Sequence, residues 1–149
     1  MEIERKFTVT QLPENLALYK VKHLEQAYLN TDPVIRIRRE DDSYYLTYKG
    51  SGMLAREEYN LPLNAESYRH LLPKCDGNVI SKKRYLIPYG AYTIELDVFD
   101  PPFAPLIIAE VEFPDEEEAK QFLPPAWFAE DVTYNMEYHN SNLSKKQFP

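Results

Sequence analysis

The sequence predicts a mainly β chain, α+β in class, in which a largely antiparallel sheet carries a few helices. Three observations predict it. Charged and apolar residues alternate along most of the chain, and in a strand successive side chains point to opposite faces. Turn-forming clusters separate these segments by gaps short enough for hairpins: Asn30-Thr31-Asp32-Pro33, Glu40-Asp41-Asp42-Ser43, Gly50-Ser51-Gly52, Pro88-Tyr89-Gly90 and Asp100-Pro101-Pro102. Tyrosine is abundant, with 12 residues, and glycine scarce, with 4, as suits strands.

Taken in order, strands are expected near 2–9, 24–30, 33–40, 43–49, 54–63, 79–88, 91–99 and 105–113. Two helices interrupt them. Asn64 opens the first as N-cap, and it runs to about Leu72 before Pro73. Asp115 opens the second, which runs to about Leu123 before Pro124-Pro125. Its acidic first turn suits the helix dipole, and Glu118 three residues after Asp115 resembles a capping box. The tail from Asn135 to Gln147 reads as a short polar helix. At 149 residues the chain reads as a single domain, 1–149, long enough to bury a core.

Net charge is −7, from 17 basic and 24 acidic residues, which argues against a general nucleic-acid surface. No apolar run is long enough to cross a membrane and no signal peptide is evident, so the expectation is a cytoplasmic protein with no membrane partner. Cys75, the one cysteine, excludes an internal disulfide framework and sits in a turn-like Pro73–Gly77 segment. His23, His70 and His139 lack metal-ligand spacing and read as surface or structural. Trp127 reads as a packing anchor.

The charged faces carry the chemical signal. Glu2, Glu4 and Lys6 share one face of the first strand, about 7 Å apart at each step, against Ile3 and Phe7. The pattern returns in Arg36 and Arg38, Thr47 and Lys49, Arg56 with Glu58 and Asn60, Lys82 and Arg84, Glu95 and Asp97, and Glu110 and Glu112. A solvated face would mix Lys, Glu, Ser, Thr and Gln. This set is rich in Arg and in paired carboxylates, and it is segregated by strand, which suggests a cationic half and a metal-binding half. Seven acids (Glu2, Glu4, Glu58, Glu95, Asp97, Glu110, Glu112) stand against seven bases (Lys6, Arg36, Arg38, Lys49, Arg56, Lys82, Arg84). Such balance matters because isolated buried charges cost several kcal/mol or more. A linear triphosphate brings roughly four to five negative charges if its ends behave as phosphomonoesters, and two divalent cations bring four positive ones. Metal and anion together nearly preserve the balance; either alone does not.

Glu2-x-Glu4-x-Lys6 resembles the ExExK signature of the CYTH superfamily, the triphosphate tunnel metalloenzymes, and the later pairs resemble that family's motifs in the same order, from Met1 to about Asn142. The resemblance implies a closed eight-stranded antiparallel barrel forming a tunnel, with helices packed outside. It implies Mg²⁺ or Mn²⁺, one or two ions, on Glu2, Glu4, Glu110 and Glu112, with Glu58, Glu95 and Asp97 as ligands of a second ion or holders of its water. Lys6, Arg36, Arg38, Lys49, Arg56, Lys82 and Arg84 match the phosphate clamp, Lys82 and Arg84 stabilising the leaving oxygens. Tyr28, in Gln26-Ala27-Tyr28-Leu29, resembles a family tyrosine near the reacting phosphate; packing as a strand aromatic is its other reading.

The activity implied is metal-dependent hydrolysis of a small-molecule triphosphate, inorganic tripolyphosphate first. A class IV-type adenylate cyclase, a thiamine triphosphatase and a non-catalytic polyphosphate- or nucleotide-binding module are the alternatives. Monomer and homodimer both stay open. Two positions depart from the family pattern. Asn60 stands where some relatives carry an acid, which bears on a second metal. Met136-Glu137 stand where some carry bases before Tyr138-x-Asn140, which weakens a phosphate-binding role for the tail.

Overall fold

The computed structural model describes residues 1–148. Nine strands form one sheet: β1 (Glu2–Thr8), β2 (Lys20–Thr31), β3 (Val34–Glu40), β4 (Ser43–Lys49), β5 (Ala55–Arg56), β6 (Glu58–Leu63), β7 (Asp76–Tyr89), β8 (Tyr92–Phe99) and β9 (Ile107–Glu112). Their order is β5-β1-β9-β8-β7-β2-β3-β4-β6, and every pairing is antiparallel. The two edge strands are consecutive in the chain. Arg56 pairs with Glu2 on β1, and Glu58 pairs with Lys49 on β4. The single strand expected over 54–63 therefore breaks at Glu57, and the two halves join opposite edges of the sheet. That break closes the eight expected strand segments into a barrel and raises the strand count to nine. Closure removes the open edges that would otherwise invite pairing with other chains.

Two strands begin earlier than expected. Lys20-Val21-Lys22-His23 extends β2 by pairing with Leu86 through Lys83, and β7 starts at Asp76 opposite Tyr28. These short stretches are polar, but the ladder is made by backbone groups and tolerates them.

The helices are short. Helix α1 (Ala65–Leu71) is capped by Asn64, whose side chain accepts from Ser67 N at 2.7 Å; a 3₁₀ turn over Leu72–Lys74 follows it. Helix α2 (Glu116–Gln121) is capped by Asp115, which accepts from Glu118 N at 2.7 Å. The capping box is only half made, because the Glu118 carboxylate turns away and accepts from the Tyr92 hydroxyl at 2.6 Å. The tail forms a 3₁₀ turn over Met136–Tyr138 and then helix α3 (Asn140–Leu143). No helix among the described residues is long and apolar enough to cross a membrane.

Apolar residues opposite the charged faces point outward, and α2 with the segment after it covers many of them. Ile3, Phe7, Ile94, Leu96 and Val111 pack against Ala119 of α2 and against Phe122 and Phe128, with Trp127 edge-on to Phe128 at 4.7 Å. This is the anchoring role expected of Trp127. A second cluster, with Ile80, Phe99, Ile108 and Val34, is capped by Phe103 and by Leu143 of α3. Its strand residues share the face of Lys82, Asp97, Glu110 and Arg36, so the interior turns from charged to apolar at the end the tail covers. Gly77 admits the tail there. Its φ is +71°, and an added Cβ would lie 2.2 Å from the Ser144 carbonyl oxygen.

Candidate active site

The alternation of each strand now has a destination. A cavity of about 290 Å³ runs within the barrel, lined by Glu2, Glu4 and Lys6 of β1, Tyr28 of β2, Arg36, Arg38 and Glu40 of β3, and Thr47 and Lys49 of β4. Arg56, Glu58 and Asn60 of β5 and β6, Arg84 and Glu95 of β7 and β8, and Glu110 and Glu112 of β9 complete the charged wall. Val34, Tyr45 and, from the tail, Asn140 and Ser141 fill the remainder. Among these residues seven carboxylates face six cations, so the lining is close to balanced.

The two halves expected from sequence interleave through ion pairs. Lys49 Nζ lies 2.9 Å from Glu2 Oε1 and 3.9 Å from Glu58; Arg56 Nε lies 3.7 Å from Glu2. Lys6 Nζ lies 3.4 Å from Glu110, and Arg84 Nη2 lies 3.7 Å from the same carboxylate. Arg84 Nη1 reaches Glu95 at 3.0 Å. A hydrogen-bonded chain ties the opposite wall together. Arg36 Nη2 donates to Thr47 Oγ1 at 3.2 Å, Thr47 donates to Asn60 Oδ1 at 2.6 Å, and Asn60 Nδ2 donates to Glu58 Oε1 at 2.9 Å. Asn60 thus fixes Glu58 by donating to it, which an acid at that position would not do when ionised.

Lys82 and Asp97 are the two expected site residues that do not line the cavity. Both side chains are fully buried behind the wall, with Lys82 Nζ 2.7 Å from Asp97 Oδ2. Asp97 also accepts from Arg84 Nε at 2.7 Å and from Arg84 Nη2 at 2.9 Å. Both of its oxygens are occupied by cations of the protein. Lys82 also donates to Asn140 Oδ1 at 3.2 Å, and Asn140 itself lines the cavity, so the tail reaches it despite Met136 and Glu137.

Crowding of like charge marks the acidic side. Glu4 stands directly opposite Glu112 in the β1–β9 ladder, and Glu95 directly opposite Glu110 in β8–β9. Like charges so placed destabilise a sheet. Burial, reinforced by Glu110, pushes the Glu4 carboxyl above the usual carboxylate range. Burial and Glu4 push Glu2 up to about 8, although Lys49 opposes the shift. At Glu58 burial raises the carboxyl, but the hydrogen bond with Glu2, the charge of Lys49, the Asn60 amide and Arg36 together outweigh it and bring it down to about 2. The short Lys49 contact alone would argue for an ionised Glu2. Burial and the neighbouring carboxylates of Glu4 and Glu58 pull the other way and favour a proton on the Glu2–Glu58 pair. Glu110, flanked by Lys6, Arg84 and Lys82, is held well below the ordinary range despite its burial.

The cationic side is short of acceptors. Arg36 is buried and its Nε has no protein partner. Burial, with Arg36 and Arg84 nearby, lowers Arg38 to about 10. A buried donor without an acceptor and crowded guanidinium groups both call for an anion between them.

Val34, Glu40, Tyr45 and Ser141 were not expected at the site, and Asn140 was named only within Tyr138-x-Asn140, in a tail given a weakened role. Glu40 continues the Arg36–Arg38 face by the same two-residue step and was obscured by the turn signal around it. Asn140 and Ser141 come from a non-strand segment and carry no periodic signal. Of the histidines, His139 is buried with Nε2 3.0 Å from the Thr133 carbonyl oxygen, a structural position.

Comparison with known proteins agrees with this geometry. The inorganic triphosphatase of Nitrosomonas europaea is 39% identical over 148 residues, covering 96% of each chain. The inorganic triphosphatase of Acetivibrio thermocellus is 33% identical over 150 residues, covering 99% of this chain and 95% of its own. The crystal structure of the inorganic triphosphatase NE1496 superposes with a TM-score of 0.74 at 34% identity, over 99% of this chain and 96% of that one. The CYTH domain family matches residues 1–147, and the chain belongs to that family.

Proposed function

We propose that this chain is an inorganic triphosphatase that hydrolyses tripolyphosphate to pyrophosphate and phosphate within the barrel. The observation that carries the reading is a charged cavity of about 290 Å³ with a buried, unpartnered Arg36 Nε. Its volume is at the small end for ligand pockets, and its lining offers few apolar groups to hold a nucleobase. The relatives named inorganic triphosphatase support the same choice of substrate.

Lys6, Arg36, Arg38, Lys49, Arg56 and Arg84 clamp the phosphates, the guanidinium groups by bidentate contacts. Arg84, held by Asp97 and supported by Lys82, meets the charge that develops on the leaving oxygens. Glu58, oriented by Asn60, positions the attacking water, with Tyr28 a donor close to the anion. Phosphoryl transfer asks for this kind of positioning and electrostatic complement.

The crowded carboxylates fit a hard divalent cation, since all donors are oxygens and the Glu4 carboxyl stays raised despite the charges of Lys49 and Lys6. Among the described residues no three acidic or histidine groups form a ready-made cage. Mg²⁺ or Mn²⁺ bound there would complete its shell with waters and phosphate oxygens. Glu2, Glu4, Glu110 and Glu112 would hold it, with Glu58 and Glu95 near a second ion; Asp97 acts as the holder of Arg84. Bound there, the ion supplies neutralisation of phosphate charge and activation of water.

Phosphate release from tripolyphosphate, ATP and thiamine triphosphate, each with Mg²⁺ and with Mn²⁺, tests the reading. Tripolyphosphate should be the best substrate. Cyclic AMP plus pyrophosphate from ATP would identify a cyclase instead.

A further inference from the structure

Gln26 of β2 is fully buried and forms no part of the cavity wall. It stands behind two side chains that do: Arg38, its cross-strand partner on β3, and Tyr28, two residues along on the same face. A buried amide needs its donor and acceptor satisfied. Here Oε1 accepts from Arg38 Nε at 2.9 Å and Nε2 donates to the Tyr28 hydroxyl at 3.2 Å.

Partner chemistry fixes which way the amide points. A guanidinium only donates, so the amide oxygen must face Arg38 and the amide nitrogen must face Tyr28. That nitrogen only donates, so the Tyr28 oxygen accepts, and its own hydrogen points elsewhere. No protein acceptor among the described residues takes that hydrogen, and the ring lines the cavity. The backbone is irregular around the same residue. The β2–β7 register shifts between Gln26 and Tyr28, and the β2–β3 register shifts between Tyr28 and Asn30. Such bulges re-aim side chains.

We propose that Gln26 is a positioning residue that turns the Tyr28 hydroxyl hydrogen and the remaining N–H groups of Arg38 together toward an oxygen of the bound triphosphate. This rests on reading the cavity as a triphosphate site. Gln26 touches no substrate; it converts Tyr28, a group able to donate or accept, into a dedicated donor.

Gln26→Met keeps the volume and removes both hydrogen bonds. Affinity for tripolyphosphate in the presence of Mg²⁺ is measured by calorimetry for wild type, Gln26→Met, Tyr28→Phe and the double variant. Each single change should weaken binding about tenfold, the scale of one hydrogen bond to a charged group. The double variant should be less than about threefold weaker again, because the thioether side chain has already released the hydroxyl. Multiplying effects, or a Gln26→Met protein that binds like wild type, would overturn the proposal.

If Gln26→Met shows no cooperative thermal transition, Gln26→Glu takes its place. The carboxylate keeps an acceptor for Arg38 but also accepts from Tyr28, drawing the hydrogen out of the cavity. On that background Tyr28→Phe should change affinity by less than about threefold, and a further tenfold loss would overturn the assignment. Calorimetry needs binding and not turnover. A wild-type protein that binds tripolyphosphate without cleaving it would sink the hydrolase reading while the coupling still decides the role of Gln26.

Discussion

Asp97 grips Arg84 with both carboxylate oxygens, at 2.7 and 2.9 Å, while neither Asp97 oxygen reaches the cavity that Arg84 lines. Lys82 completes the group from behind at 2.7 Å. The arrangement fixes one guanidinium in place with buried charge instead of with packing. Removing one partner of such a group costs about 3–5 kcal/mol, because the others are left buried and unpaired.

Asp97→Asn is therefore expected to lower stability by roughly 3 kcal/mol and to reduce triphosphate hydrolysis. Adding Lys82→Met to that variant removes one stranded charge and should recover part of the stability without recovering the activity, since Arg84 keeps only Glu95 and Glu110 and lacks the two-point grip of Asp97. Chemical denaturation and phosphate release on the same samples check both halves.

Glu4→Gln separates function from stability in opposite directions. Glu4 faces Glu112 across the ladder, and burial with Glu110 raises its carboxyl. Removing that charge should raise the melting temperature of the metal-free protein. The same change should lower metal-dependent hydrolysis at least about a hundredfold, the scale of one lost charge interaction with the ion. A variant as active as wild type would show that the acidic wall holds no catalytic metal.

Metal and anion should bind together. A triphosphate alone overloads a nearly neutral wall with negative charge, and a divalent ion alone overloads it with positive charge. Titration of tripolyphosphate by calorimetry with and without Mg²⁺ should show affinity falling by orders of magnitude when the metal is chelated. Equal affinities would contradict the charge argument.

His139 gives a pH signature of its own. Burial, followed by the charge of Lys6 and opposed by the Thr133 carbonyl, lowers its pKa to about 4; Arg56 adds to the shift and Glu110 subtracts from it. In the unfolded chain the ring protonates near the ordinary 6.5. The unfolded state then binds more protons between those values, so the contribution is full above pH 6.5 and is lost as pH falls toward 4. Discounted for screening, it is about 2 kcal/mol. Denaturation of wild type and His139→Gln across pH 4–7.5 should show the wild type losing about that much relative to the variant as the solution is acidified.

Most of the barrel was legible because its chemistry is local. Glu2-x-Glu4-x-Lys6, Arg36-x-Arg38 and Glu110-x-Glu112 place charges on one face whatever the partner strand is. What was not legible is what partners decide. Nothing in Arg56-Glu57-Glu58 announces that Arg56 joins β1 while Glu58 joins β4, yet this crossing closes the barrel. Asp97 shares the alternation of Glu95 and reads as a second ligand, but its register opposite Arg84 gives both its oxygens to cations. Gln26, an uncharged residue in a strand, carried no signal until its two partners were placed around it.

The central claim is tested most directly by following tripolyphosphate with ³¹P NMR in the presence of the purified protein and Mg²⁺. The account predicts equimolar phosphate and pyrophosphate, with no turnover once the metal is chelated. Unchanged tripolyphosphate with Mg²⁺ and with Mn²⁺, beside efficient conversion of ATP to cyclic AMP, would contradict it.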